Sequence, residues 1–262
     1  MGFCGIFKHF SGFGFFLLPN RIHARPSASN AHRWALHFAL VARSPPKRFI
    51  LSDMNTNPNN HFINDLASLE TLFDVVGEVS IKKEVSYLHP TYQAMISASP
   101  FAVLATVGPD GLDISPRGDP PGFIQIQDEH TLLLPERRGN NRIDSLRNII
   151  ADPRVALFFM IPGVGETLRV NGRARISIAP DLLQRFPMQG KLPKCVLEIS
   201  VETVFFQCAR AVQRSKIWEG IPEEVRRRVP TPGAILEALT DSAIDGANYD
   251  RELPARQKST LY

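Results

Sequence analysis

The sequence predicts a mainly β protein with flanking helices (α+β), folded as a six- to seven-stranded antiparallel barrel, closed or nearly closed. Three observations predict it. Apolar segments, several of them alternating with period two, follow one another between residues 101 and 208. Short turn signals such as Gly108-Pro109-Asp110-Gly111 join several of them, and short turns join antiparallel neighbours. Nothing between them repeats as βαβ units, so a parallel sheet is excluded.

The elements follow in order. Residues 63–76 place Leu66, Leu69, Leu72 and Phe73 at helical spacing, and a second helix is expected within 87–97, ended by Ser99-Pro100. FAVLATV-GPDG-LDISP (101–116) reads as a hairpin, and FIQIQ-DEH-TLLLP (123–135) as another. A short helix over 141–151 precedes RVALFFMIP (154–162), a continuous apolar run of buried-strand type. TLRVNGRARISI (167–178) alternates, with Leu168, Val170, Ala174, Ile176 and Ile178 on one face. A helix is expected over 180–186. CVLEISVETVFFQC (195–208) is a long strand with Leu197, Ile199 and Val201 inward. Helices around 222–228 and 233–240 follow, then a polar tail after Asp245. The implied segments are an N-terminal extension over 1–53, a helical segment over 54–100, the barrel over 101–218, and C-terminal helices with a tail over 219–262.

The pI above 9 does not argue for nucleic acid. Of the 30 Lys/Arg and 26 Asp/Glu, seven basic and one acidic residue precede Met54, which leaves 23 basic and 25 acidic in the body. The first 53 residues are basic and contain the apolar run FSGFGFFLLP. They read as a signal peptide, an organelle transit peptide, or an upstream extension of a frame that starts at Met54. Cys4, Cys195 and Cys208 show no paired spacing, so neither a disulfide framework nor a structural zinc is expected. A reducing, cytoplasmic setting fits, and no apolar run reaches the roughly 20 residues of a membrane span.

Motifs for chemistry are few. GVGETL (163–168) lies between two strands and lacks the third glycine of a dinucleotide fingerprint, so it reads as a hairpin turn. Arg117-Gly118-Asp119 matches an adhesion tripeptide by chance. His61, His89 and His130 have no evident nucleophile partner, so any chemistry belongs to a bound cofactor.

The informative stretch is LLPERRGNNRIDSLRN (133–148), where Arg137, Arg138 and Arg142 surround a Gly-Asn-Asn turn. Asn141 can N-cap a helix that buries Ile143, Leu146 and Ile150. The open N–H groups of its first turn and the guanidiniums would then hold an anion such as a phosphate. The alternative is a solvated basic turn paired with Glu136 and Asp144. ISPRGDPPGF (114–123) interrupts its strand with Arg117, Gly118 and two prolines. In a barrel of this order that strand would lie beside the one leading to the arginine turn, bringing Ser115 and Arg117 towards Arg138 and Arg142. The alternative there is a wide bulge with a surface arginine.

Together these motifs, with LRVNGRA (168–174) and FFQCARAVQRSKIW (205–218), resemble the pyridoxamine 5′-phosphate oxidase-like FMN-binding split-barrel family. The nearest likeness is to its branch of probable FMN-dependent enzymes of unassigned substrate. The resemblance covers residues 62–218. It implies a homodimer with FMN at the subunit interface, in which the flavin N5 exchanges a hydride with a nicotinamide donor or a small-molecule substrate. It assigns FMN contacts to Ser115 and Arg117, and to Arg138, Asn140, Asn141 and Arg142 around the phosphate. From the C-terminal signature it adds Arg210 or Arg214 near the ring, the alternative for either being a surface salt bridge with Glu202 or Glu219, and Trp218, which either covers the ring or packs the barrel end. Where the oxidases read Ser-Arg-Lys this chain has Asn140, Asn141 and Arg142, so pyridoxine-phosphate oxidation itself is not implied. A non-catalytic flavin carrier or sensor, or a split barrel using deazaflavin or haem, remains the alternative.

Overall fold

A computed structural model describes residues 61–262. The expected N-terminal extension and the leader after Met54 lie outside the described residues. The described chain falls into two units, divided between Leu72 and Phe73. Within the first, the helix expected over 63–76 is a single short element, α1 (Leu66–Glu70), capped by Asp65 through the Ser68 N–H.

The second unit holds α2 (Glu78–Lys82), α3 (Pro90–Ala98), β1 (Phe101–Gly108), β2 (Gly111–Gly118), β3 (Gln125–Asp128) and β4 (Thr131–Pro135). Then come α4 (Asp144–Ala151), β5 (Arg154–Met160), β6 (Thr167–Ser177), α5 (Pro180–Leu183) and β7 (Val196–Gln207). The chain continues with α6 (Arg210–Ser215), α7 (Glu223–Arg228), α8 (Pro232–Leu239) and α9 (Gly246–Ser259). The polar tail expected after Asp245 is thus largely helix: the Asp245 carboxylate accepts from the Asn248 N–H and starts α9.

The seven strands form one antiparallel sheet in the order β2-β1-β5-β6-β7-β4-β3. Its edges, β2 and β3, are not paired with each other. This is the mainly β, α+β architecture expected, a split barrel. Both predicted hairpins are present, β1–β2 and β3–β4.

Strand alternation builds the core. Ala102 and Leu104 of β1, Val155, Leu157 and Phe159 of β5, and Leu168 and Val170 of β6 point inward with Leu197, Ile199 and Val201 of β7. Tyr92 and Ile96 of α3 close that cluster. Leu133 faces the opposite side of β4 and packs with Leu182, Phe186 and Val196 in a smaller cluster under α5. The β6–β7 ladder shifts register between Asn171 and Gly172, so the inward set in β7 changes from Val201 to Val204. Gly172 is required there, because a Cβ would stand 2.2 Å from the Ser200 carbonyl oxygen.

Two expectations need correction. β2 is not interrupted at Arg117: the ladder to β1 runs through Arg117 to Gly118 and the strand ends only before Pro120 and Pro121, while Pro116 within it is tolerated because β2 is an edge strand. Ile178 lies past the end of β6 and is exposed, since the chain turns there into α5.

Candidate functional site

Asp113, Ser115 and Arg117 share one face of β2, two residues apart. The Ser145 hydroxyl donates to Asp113 Oδ2 at 2.7 Å and lies 3.0 Å from Ser115 Oγ. Asn148 Nδ2 donates to buried Thr106 Oγ1 at 3.1 Å, and Gly108 leaves room for the Asn148 side chain. These contacts fix α4 against the β1–β2 hairpin and so position the loop before it.

That loop differs from the expected cap. α4 begins at Asp144, three residues late, with Ile143 as its N-cap in the left-handed region (φ 54) and no side-chain cap. Asn141 is also left-handed (φ 59), a conformation asparagine tolerates, and it stands two residues before the N-cap position, too early to cap α4. The Arg142 N–H instead bonds Asn140 Oδ1 at 3.0 Å. The buried face of α4 is Ser145 and Ile149, with Leu146 partly buried beside them, while Ile150 is 79% exposed.

β2 and β4 lie far apart in the sheet order, so Ser115 and Arg117 do not meet the arginine loop as strand neighbours. They meet it because the sheet curls: Arg117 Nη1 pairs with Glu136, the residue after β4. The segment before β7 closes the third side, with the Glu136 N–H on the Cys195 carbonyl at 2.9 Å and Lys194 Nζ on Asn141 Oδ1 at 3.2 Å. A cleft of about 530 Å³ results, lined by Ser115, Arg117, Asn140, Asn141, Arg142 and Lys194 among others. Arg138 faces an adjoining cleft of about 380 Å³ with Lys191, Lys194 and Tyr262.

The arginines do not need an external anion to coexist. Arg117 is paired with Glu136, Arg142 Nε with Asp144 Oδ2 at 2.7 Å, and Arg137 Nε with Asp119 Oδ2 at 2.7 Å. Asp144 raises the Arg142 pKa, first by its hydrogen bond and then by its charge. Arg137 also donates to the Phe186 carbonyl at 2.7 Å and is a structural tie. Asp119 has a side chain only 1% exposed, so the Arg-Gly-Asp tripeptide cannot serve adhesion. Donors nevertheless remain. Arg117 Nε is buried without a partner, Arg142 bonds only through Nε and its own N–H, and Arg138 has no hydrogen bond or ion pair among the described residues.

Arg210, Arg214 and Trp218 are not brought to this cleft. The cleft adjoins the Val196 end of β7 and they follow its Gln207 end, 12 residues along the strand. Trp218 Nε1 donates to the Val164 carbonyl in the β5–β6 turn at 2.8 Å, and neither arginine has an ion pair among the described residues. That turn, with Gly163 at φ 80, is the hairpin turn expected of GVGETL.

Sequence reasoning missed Asp113, Ser145 and Lys194. Period-two spacing from Ser115 and Arg117 would have found Asp113, whereas Lys194 arrives only through the β4–β7 pairing. Among the described residues no group of His, Cys, Asp and Glu could hold a metal, and no helix is long and apolar enough to cross a membrane.

Comparison with known proteins matches residues 88–208, somewhat under half of the chain, to the sequence model of the pyridoxamine 5′-phosphate oxidase family. No protein of curated function matches. Among solved structures, HupZ of Group A Streptococcus is similar at 22% identity over 46% of this chain and 94% of its own, with a TM-score of 0.38. A pyridoxamine 5′-phosphate oxidase candidate of Lactobacillus delbrueckii is similar at 22% over 46% and 95%, TM-score 0.36. General Stress Protein 26 of Bacillus anthracis follows at 17% over 43% and 88%, TM-score 0.30. These structural likenesses are too distant to add to the sequence match. The barrel segment, residues 88–208, is thus similar to the pyridoxamine 5′-phosphate oxidase family.

Proposed function

We propose that the protein is an FMN-dependent oxidoreductase of unassigned substrate that acts as a homodimer. The observation that carries this reading is the buried, unpartnered Nε of Arg117, at the wall of a cleft that also collects Arg142, Lys194, Ser115, Asn140 and Asn141. A buried donor without an acceptor is costly, and a phosphate ester oxygen would satisfy it. The free Nη groups of Arg142 and the Lys194 ammonium would add charge-assisted bonds, while Ser115 and Asn141 would bond neutral oxygens of the ribityl chain. The donor set therefore fits the phosphate end of FMN. Left-handed Ile143 supports it, because a β-branched residue held there is strained, and such strain concentrates at ligand sites.

FMN bound there would supply hydride exchange at its N5. The protein's own part is to hold and orient the phosphate end and to keep the carboxylates of Glu136 and Asp144 engaged by guanidiniums. Arg210, Arg214 and Trp218 are proposed to serve the partner subunit's flavin, since they lie at the far end of β7. Exposed Leu112 (88%) and Ile114 (72%) on edge strand β2 form an apolar surface that a second copy would cover.

A second reading, a non-catalytic flavin carrier or sensor, is favoured by the lack of a free base in the cleft: Asp113, Glu136 and Asp144 each hold a hydroxyl or a guanidinium. The visible absorption of the purified protein tests both. Flavin absorption that falls with nicotinamide or substrate turnover supports the oxidoreductase; bound flavin without turnover supports the carrier. Arg142→Ala should bleach the preparation. A Soret band, or flavin at wild-type stoichiometry in Arg142→Ala, overturns the proposal.

A further inference from the structure

Tyr262 joins three stretches of chain that lie far apart in the sequence. Its hydroxyl donates to Asp119 Oδ1 at 2.6 Å, just past the end of β2. Its main-chain oxygen accepts from Lys191 Nζ at 2.6 Å, in the segment before β7. The Arg137 guanidinium, in the loop after β4, stands 5.9 Å from its ring centroid and itself holds Asp119 Oδ2 at 2.7 Å. Buried Asp119 thus has both oxygens taken. Its hydrogen bond, and then burial, raise the Tyr262 pKa, which keeps the phenol a donor.

The loop after β4 and the segment before β7 are two walls of the cleft proposed for the flavin, and they meet where Lys194 bonds Asn141. Tyr262 lines the adjoining cleft of about 380 Å³, which shares Asn141 and Lys194 with the first. It therefore ties one wall of the flavin cleft to the other.

The helix that carries Tyr262 there has two unlike halves. The start of α9 is packed. A Cβ on buried Gly246 would stand 2.6 Å from the Gly233 carbonyl oxygen of α8, and Asp250 Oδ1 accepts the Gly233 N–H at 2.7 Å. Pro254 then has no N–H for the Asp250 carbonyl, so the helix is weakest at that point. Residues 254–259 are all exposed. Among the described residues, the hydrogen bonds that hold this second half to the barrel are the two made by Tyr262. A segment without buried side chains, fastened at its tip, opens locally at low cost.

We infer that residues 254–262 form a strap on the flavin cleft, hinged at Pro254 and latched by Tyr262 on Asp119 and Lys191, which releases when a flavin enters or leaves. The inference rests on the flavin reading above and adds how exchange at that site is controlled. Closed, the strap holds the loop after β4 to the segment before β7; open, it lets these walls part. The latch bonds are the same with the cleft filled or empty, so they set rates in both directions and cancel in the affinity.

Stopped-flow mixing of FMN with the flavin-free full chain, dilution of the complex, and hydrogen–deuterium exchange of residues 254–262 test this together. Tyr262→Phe should speed deuteration of the strap but not of β5 and β6. It should raise FMN association and dissociation rates together by about threefold or more, the effect of one hydrogen bond of ordinary net strength. Kd should stay within about twofold of the wild type, since both rates move alike. Pro254→Ala restores the missing helix bond and should act in the opposite direction, slowing deuteration of the strap and both flavin rates. The gate is overturned if Tyr262→Phe leaves deuteration of the strap unchanged, or loosens the strap while both flavin rates keep their wild-type values. It is also overturned if only dissociation quickens, which would make Tyr262 a flavin contact, or if Pro254→Ala slows neither rate. A chain that binds no FMN, with its strap still released by Tyr262→Phe, overturns the flavin reading and the gate with it; bound FMN that exchanges at unchanged rates overturns the gate alone.

Discussion

The guanidinium of Arg117, near the end of β2, grips the carboxylate of Glu136, the first residue after β4, across the seam where the sheet's edge strands do not pair. Their side chains are only 14% and 20% exposed. This ion pair, together with that of Arg137 and Asp119, ties the end of β2 to the segment after β4 and sets one wall of the cleft.

Removing one member should cost more than removing both. Arg117→Ala leaves a half-buried carboxylate unpaired and is expected to destabilise by about 2–4 kcal/mol, near or below the range for breaking a buried pair. Adding Glu136→Gln should restore about 1–2 kcal/mol of it. Urea unfolding of the single and double variants measures this, and simple additivity would show that the pair does not hold the seam.

Gly172→Ala should destabilise by about 1–3 kcal/mol, since its Cβ meets backbone that cannot yield. Gly77→Ala is the control, with nothing within 4 Å of the added carbon, and should stay within about 0.5 kcal/mol. Equal unfolding midpoints for the two would refute the close approach.

The thiols should separate by reactivity. Burial, then the charge of Glu136, pushes Cys195 up to about 11, while the Arg210 N–H lowers exposed Cys208. At neutral pH iodoacetamide should modify Cys208 in the native protein and Cys195 only after unfolding. Peptide mass mapping reads both sites, and comparable native labelling would contradict the burial of Cys195.

Acid should weaken one local tie in a defined window. Hydrogen bonds from Arg154 hold the Asp152 carboxyl at about 2, below the ordinary aspartate value of 3.8. A depressed acid stabilises the fold above its unfolded pKa and loses that contribution as pH falls through the folded value. The stability gap between wild type and Arg154→Ala should therefore be constant above about pH 5 and shrink towards pH 2. The pair is solvent-facing, so the gap is small, and urea midpoints taken at close pH intervals resolve it. A gap that does not vary with pH would show that Arg154 acts by packing alone.

Much of this protein is legible in its sequence, and the boundary is physical. Strand alternation and turn residues are local, so the two hairpins, β5, β6 and β7 could be read directly, together with the family likeness of their motifs. The length of α1, the start of α4 and the helix at α9 were misread, because helix ends depend on competing bonds from neighbouring chain. Asn140 taking the Arg142 N–H is one such bond, and the Asp245 cap is another. The order of the sheet, the curl that joins Arg117 to Glu136, the carboxylate given to each of three arginines and the arrival of Lys194 beside Asn141 were decided by tertiary structure alone. Residues tens of positions apart meet only when the barrel closes, and no local pattern carries that distance.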